Sequence, residues 1–212
     1  MTKIFDDPRT FATMALAGFG SVHRDTVRLV RGGVVRATRR SVGKVALVVG
    51  GGSGHYPAFA GFVGPGLADA AVIGDVFAAP SAQAVAHVAR LAHCGGGLIL
   101  SFGNYVGDVM NFGIAAARLR AEGIDVRVLP VTDDIASSPR DKAAMRRGVA
   151  GNLIVMKVTG AAAEAGLPIE EVVRIARKAN ERTASIGVAF AGCTLPGANA
   201  PLFTVQRSRM GI

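Results

Sequence analysis

The chain has 212 residues, half of them hydrophobic, and a formal net charge of +9. Its length suits one large domain, or one domain and part of another, and no apolar run reaches the roughly 18 residues that a membrane span needs. The positive charge includes two basic clusters, Arg28, Arg31, Arg36, Arg39 and Arg40, and Arg140, Lys142, Arg146 and Arg147. No aromatic interleaving and no helix-turn-helix, RNA-recognition or zinc-finger pattern accompanies them, so neither nucleic acid nor a membrane is expected as a partner. A solvated surface is the first interpretation of the clusters, and an anionic partner is the second.

The predicted elements begin after an amino-terminal stretch, MTKIFDDPRT, that lacks the apolar segment of a signal peptide, so we expect a cytoplasmic protein. Five apolar runs predict strands: Lys44–Val49, Ala71–Phe77, Gly97–Ser101, Asp125–Val131 and Leu153–Val158. They are rich in Val, Ile and Leu with little alternation, which is typical of strands covered on both faces. Helices are predicted over Pro80–His93 and Asp108–Glu122, and a third begins at Pro168. This alternation predicts an α/β fold, a three-layer α/β/α domain with a mostly parallel sheet.

The pattern changes near Ala184. The stretch SIGVAFAGCTLPGANAPLFTV contains short strand-like runs and turn residues but no long helix. We therefore predict one domain over residues 1–183. Residues 184–212 are interpreted as the beginning of a second, incomplete α/β domain.

Polar residues lie at or after the ends of three of the predicted strands, where parallel α/β sheets bind ligands. His55 follows the first strand, Asp75 falls late in the second, and the segment Asn104–Asp108 follows the third. The loops after these strands are expected to converge on one crevice.

The glycines around Ser53 match no known phosphate-binding pattern. The run GGGSG fits neither the glycine spacing of the dinucleotide fingerprint nor the GxxxxGK[ST] pattern of a P-loop. The glycines offer exposed N–H groups and close backbone approach to a small polar ligand. A tight turn with no ligand explains them equally well.

Five motifs occur in the order found in one family of sugar kinases: GGGSGHYPAFAGFVG, GDVFAAPS, GNYVGDVMNF, RRGVAGN and SIGVAFAGCTLPG. Together they resemble the dihydroxyacetone kinase family, specifically its ketose-binding K subunit or domain. The resemblance extends from about Val45 to Phe203 and therefore covers most of the chain.

This resemblance implies a division of labour between two domains or subunits. The K domain holds a short ketose, while a separate all-helical, DhaL-like domain or subunit carries ATP, or tightly held ADP, with magnesium. This chain is then expected to hold no cofactor of its own, and no metal-ligand grouping is found in its sequence. The resemblance also implies a homodimer.

The resemblance assigns roles to individual residues. Asp108 corresponds to the carboxylate that accepts the proton of the substrate hydroxyl, and His55 to a histidine that hydrogen-bonds the substrate. The backbone of Gly52 and Ser53 is expected to lie against the ligand. Further substrate contacts are expected at Gly103, Asn104 and Tyr105. From the residues alone, Asp108 is also explained as a helix cap.

Two positions depart from the family pattern. Gly103 stands where members specific for dihydroxyacetone have Lys, and Tyr56 stands where they have Glu. The loss of a cationic side chain makes room beside the ligand. We therefore expect a larger ketose, with a tetrulose such as erythrulose as the leading candidate.

The family also binds its substrate covalently, through the histidine of a GIHGEPG motif that adds to the ketone. The sequence ends at Ile212, close to where this motif would begin. We expect the 212-residue chain alone to be impaired as a kinase. A non-catalytic ketose-binding module and an unrelated Rossmann-like nucleotide-binding protein remain as alternatives.

Overall fold

The computed structural model describes residues 7–212, which form six strands and five helices. The strands are β1 (Val27–Val30), β2 (Gly33–Arg36), β3 (Ala46–Ser53), β4 (Ala70–Val76), β5 (Leu98–Gly103) and β6 (Val126–Val131). The helices are α1 (Phe11–Val22), α2 (Ala82–Ala92), α3 (Val106–Ala121), α4 (Gly151–Glu164) and α5 (Ile169–Arg182). None of these helices combines the length and hydrophobicity that a membrane-spanning helix needs.

All six strands belong to one sheet, in the order β1-β2-β4-β3-β5-β6. The central strand β3 pairs in parallel with β4 on one side and with β5 on the other, and β6 pairs in parallel with β5. The β1–β2 hairpin adds an antiparallel edge next to β4. Because the chain passes from β4 back across β3 to β5, the order reverses between β3 and β5. This is the topological switch point at which open α/β sheets bind ligands.

Helices cover both faces of the sheet. Along β3, Ala46 and Val48 pack in the same hydrophobic core as the buried residues of α2 and α3. The alternate residues Leu47 and Val49 pack in the other core, together with the buried residues of α4 and α5. The side-chain period of two along a strand produces this division. The α/β class, the three layers and the mostly parallel sheet are thus confirmed.

The predicted strand Leu153–Val158 is wrong, because these residues lie inside α4. Val155, Met156, Thr159 and Ala163 are buried along one side of the helix, while Leu153, Ile154 and Val158 are exposed. Apolar residues therefore lie on both sides of α4, and the resulting continuous run resembles a buried strand. The other four predicted strands and the three predicted helices are confirmed. The sequence analysis missed α1 and the short strands β1 and β2.

Residues 184–212 contain no helix and no strand. Ser185 connects this segment to the sheet domain, since its backbone N–H donates to the carbonyl oxygen of Asp133 at 2.8 Å. Further along, the backbones of Ala189 and Gly211 exchange hydrogen bonds of 2.8 and 2.9 Å. The division into a domain over 1–183 and the beginning of a second one stays a prediction.

A cluster of four charged side chains lies at the amino ends of the parallel strands, away from the switch point. Its members are Arg36, Lys44, Asp69 and Glu164, and we call them the buried ion cluster. Lys44 Nζ donates to Asp69 Oδ2 at 2.6 Å, and Arg36 binds both carboxylate oxygens of Glu164, at 2.6 and 2.8 Å. Asp69 Oδ2 also accepts the Leu47 N–H at 2.9 Å. The cluster thereby connects the edge hairpin, the central strands and the end of α4.

Replacing Asp69 is expected to destabilise the fold strongly. In Asp69→Asn, the buried Lys44 ammonium loses the carboxylate at 2.6 Å and keeps only the longer contact of 3.5 Å with Glu164. Breaking a buried ion pair from one side costs about 3 kcal/mol or more. Urea unfolding of the two proteins measures this difference. The matched control is Glu122→Gln, which breaks the exposed pair with Arg90 and is expected to leave the unfolding midpoint nearly unchanged. Equal midpoints for Asp69→Asn and wild type would contradict a structural role of the cluster.

Candidate ligand pocket

A cavity of about 540 Å³ lies at the switch point. Its wall consists of residues from the ranges 50–62, 103–108 and 148–153. These ranges are the end of β3 with the turn after it, the junction of β5 and α3, and the beginning of α4. The volume is within the roughly 300–1,000 Å³ usual for small-molecule sites. We refer to it as the main cavity.

A second cavity of about 280 Å³ adjoins the main one. Four residues line both: Gly52, His55, Tyr105 and Asp108. The structure thus brings the imidazole that follows β3 and the carboxylate at the beginning of α3 to one continuous hollow.

Close packing explains why the end of β3 is rich in glycine. Gly50, Gly51 and Gly52 all belong to the strand, rather than to the turn after it. A Cβ on Gly52 would lie 2.6 Å from the backbone nitrogen of Ala78, which is closer than real Cβ atoms come. Gly52 therefore lets the segment after β4 approach β3, and it exposes backbone to the main cavity at the same time.

His55 is held by its neighbours in the turn. Its Nδ1 lies 2.9 Å from the carbonyl oxygen of Gly52. Since a carbonyl only accepts, Nδ1 carries the proton there, and Nε2 remains available to a ligand. The ring also packs edge-to-face on Phe77, with centroids 5.0 Å apart. Phe77 has a φ of 52°, a left-handed conformation that is costly for a bulky residue, and its N–H donates to Ser53 O at 3.0 Å.

Asp108 lies in the first turn of α3 and is more than nine-tenths buried. Its Oδ1 is buried and has no hydrogen-bond partner. The N-cap position belongs to Tyr105, so Asp108 does not cap the helix from that position. Burial raises the pKa of Asp108 to about 6, although the nearby His55 acts in the opposite direction. A carboxylate with such a pKa accepts and releases protons near neutral pH.

The remaining predicted contacts divide into two groups. Gly103 and Tyr105 line the main cavity, whereas Ser53 and Asn104 do not belong to its lining. The Ser53 hydroxyl donates to the carbonyl oxygen of Gly74 at 2.6 Å. The Asn104 amide donates to the carbonyl oxygens of Ala144 and Arg146, at 3.1 and 2.7 Å. Asn104 thus holds the segment that precedes α4.

The sequence analysis gave no role to the beginning of α4, which forms one wall of the main cavity. Asp133 positions this wall, because its carboxylate accepts the N–H groups of Val149 and Gly151 at 2.9 and 2.8 Å. The side chain of Asn152 lies within the wall and is more than nine-tenths buried. In the sequence, Asn152 is the last residue of the motif RRGVAGN and directly precedes the apolar run LIVM. Because this run was predicted to be a strand, the asparagine was given no role.

Within residues 7–212, no three His, Cys, Asp or Glu side chains are grouped so as to hold a metal ion. The expectation that a nucleotide and its magnesium are held by another domain stays a prediction.

Sequence matches to known proteins extend over all or nearly all of the chain. The chain is 58% identical over 212 residues to an L-erythrulose kinase of Pectobacterium atrosepticum, covering 100% of this chain and 36% of that protein. It is 41% identical over 204 residues to the dihydroxyacetone-binding subunit DhaK of a PTS-dependent dihydroxyacetone kinase of Listeria innocua serovar 6a, covering 96% and 62%. The chain therefore spans about a third of the erythrulose kinase and nearly two thirds of the binding subunit.

A solved structure agrees with the sequence matches. The dihydroxyacetone kinase of C. freundii in complex with AMP-PNP and Mg²⁺ superposes with a TM-score of 0.84 at 34% identity, covering 94% of this chain and 38% of that one. The family model described as the Dak1 domain matches residues 17–212. The chain therefore belongs to the Dak1 family, as its motifs indicated.

Proposed function

We propose that this chain is the ketose-binding part of a kinase, in which it positions a short ketose so that a primary hydroxyl receives a phosphoryl group. The observation that carries the proposal is the shared hollow at the switch point, where a carboxylate of raised pKa and a histidine with an available Nε2 line the same space. The relatives named for erythrulose and dihydroxyacetone support the substrate class.

Asp108 and His55 take different roles in this proposal. Phosphoryl transfer to an alcohol needs in-line positioning, stabilisation of charge and an acceptor for the hydroxyl proton. Asp108 accepts that proton, because its Oδ1 has no other partner and burial raises its pKa. His55 orients the ketose through Nε2, while the backbone of the cavity-lining Gly52 and its neighbours lies against the carbon chain.

The phosphoryl donor comes from outside this chain. We propose that a DhaL-like helical domain or subunit carries ATP with magnesium over the main cavity. Three observations support this: the chain has no P-loop, its relatives are longer, and the C. freundii enzyme binds AMP-PNP with Mg²⁺. The basic residues 140–147 lie beside the site, and Arg147 is exposed and close enough to Tyr105 to influence its pKa. This positive surface suits a partner that carries polyphosphate.

The full-length protein that contains this chain is expected to prefer a ketotetrose. Gly103 places no side chain in the main cavity, so a fourth carbon fits where a larger residue would exclude it. We expect a higher kcat/KM for erythrulose than for dihydroxyacetone, measured by ADP release at saturating MgATP. A clear preference for dihydroxyacetone would refute the proposed substrate size but not the kinase activity.

Replacing the proposed base tests the chemistry separately from binding. Asp108→Asn keeps the shape of the side chain but removes the proton acceptor, so kcat is expected to fall about 10²- to 10⁴-fold. Binding of the ketose, followed by isothermal titration calorimetry, is expected to persist. The matched control, Asp141→Asn, changes an exposed acid in the neighbouring loop and should retain full activity. If Asp108→Asn turned over at the wild-type rate, Asp108 would not be the base.

The raised pKa of Asp108 makes two pH-dependent predictions. The carboxylate accepts a proton only when ionised, so kcat should decline below about pH 6 and be roughly tenfold lower at pH 5. Folding favours the neutral form of this group, so its ionisation destabilises the folded state as the pH rises through about 6. Asp108→Asn should therefore raise the Tm at pH 7, and the gain should disappear below pH 4. A variant less stable than wild type at pH 7 would contradict this account.

A further inference from the structure

Asn152, a residue of the cavity wall, carries a second buried oxygen that has no hydrogen-bond partner. In the part of the chain that the structure describes, three buried side-chain oxygens lack a hydrogen-bond partner: Asp69 Oδ1, Asp108 Oδ1 and Asn152 Oδ1. Asp69 Oδ1 lies 3.5 Å from the Arg36 guanidinium, within the buried ion cluster. The other two belong to residues that line the main cavity. Native structures leave few buried acceptors unpaired, so a cavity with two of them points to a ligand that brings donors.

The local structure of α4 does not require the Asn152 side chain. The Asp133 carboxylate already accepts the N–H of Gly151, the first residue of α4, and that of Val149 just before it, and the backbone N–H of Asn152 donates to the carbonyl oxygen of Val149. The Asn152 side chain is therefore not needed to cap the helix. Asparagine is also a poor helix former, so a purely structural position would favour another residue.

Gly103 lies directly against the Asn152 amide, and both residues line the main cavity. A Cβ on Gly103 would lie 3.2 Å from Asn152 Nδ2 and 2.9 Å from the carbonyl oxygen of Gly148. The end of β5 and the beginning of α4 thus touch without an intervening side chain. Any larger residue at 103 would move this wall or cover the amide.

On the basis of the function proposed above, we propose that Asn152 is a specificity-determining residue whose Oδ1 accepts a hydrogen bond from a substrate hydroxyl. Dihydroxyacetone carries two primary hydroxyls beside its ketone, and erythrulose has one additional, secondary hydroxyl. His55 and Asp108 engage the end of the ketose that reacts. Asn152, which belongs to the wall formed by the beginning of α4, binds the additional hydroxyl and so distinguishes four carbons from three.

Two substitutions separate the loss of the acceptor from the loss of volume. Asn152→Ala removes the amide, and Asn152→Leu fills nearly the same space without an acceptor. For the full-length protein with MgATP, both should lower kcat/KM for erythrulose about 10- to 100-fold, chiefly through KM. The value for dihydroxyacetone should change less than about threefold. The matched control is Asn111→Leu, at a half-buried position of α3 that lines neither cavity, and it should leave both values unchanged.

The ratio of the two kcat/KM values decides the proposal, because a general loss of folding or activity lowers both values together. Equal losses for the two ketoses would overturn the specificity role, and so would unchanged values for erythrulose. The wild-type protein tests the proposed function itself. If it neither binds nor phosphorylates any short ketose, both proposals are refuted before a variant is made. A wild type that is active on both ketoses, with variants that lose only the preference for erythrulose, supports the role of Asn152.

Discussion

The site depends on backbone segments that approach one another more closely than side chains permit. At the carboxyl edge of the sheet, Gly52 touches the segment after β4, and Gly103 touches Gly148 at the beginning of α4. A Cβ on Gly148 would lie 2.5 Å from the Cα of Gly103, so neither position accepts a side chain without movement of the other. Glycine is the residue that allows such contacts, at a cost in chain entropy. These contacts bring the walls of the main cavity together.

Helix α4 connects the two ends of the domain. Its 14 residues span about 21 Å, from the wall of the cavity to the buried ion cluster. At one end Asp133 holds the first N–H groups, and at the other Glu164 receives both hydrogen bonds from Arg36. The side chain of Asn152 is thereby placed by contacts made elsewhere. A rigid scaffold of this kind suits the function proposed for the pocket, which is to hold a small, flexible sugar.

Most of the layered fold follows from the sequence, because four strands form continuous Val, Ile and Leu runs between recognisable helices. The exceptions have physical causes. Helix α4 has apolar residues on exposed as well as buried sides, so the helical period of its hydrophobic residues is obscured. Because the helix was not predicted, Asn152 in its first turn was not singled out. The hairpin β1–β2 consists of two four-residue strands, too short for a clear pattern. The sequence predicted ligand contacts at Ser53 and Asn104, whereas the structure shows that both side chains bind backbone carbonyls outside the lining of the main cavity.

The glycine at 103 affects the pKa of Asp108, the proposed base, as well as the size of the pocket. In dihydroxyacetone-specific members that the sequence resembles, a lysine stands at this position, and a cation so close to the carboxylate would favour its ionised form and lower its pKa. Without that charge, burial dominates and Asp108 keeps a pKa of about 6. A second carboxylate at position 152 would raise this pKa further, whereas the neutral amide of Asn152 adds no such charge. The absence of a side chain at position 103 therefore affects both the size of the pocket and the pKa of Asp108.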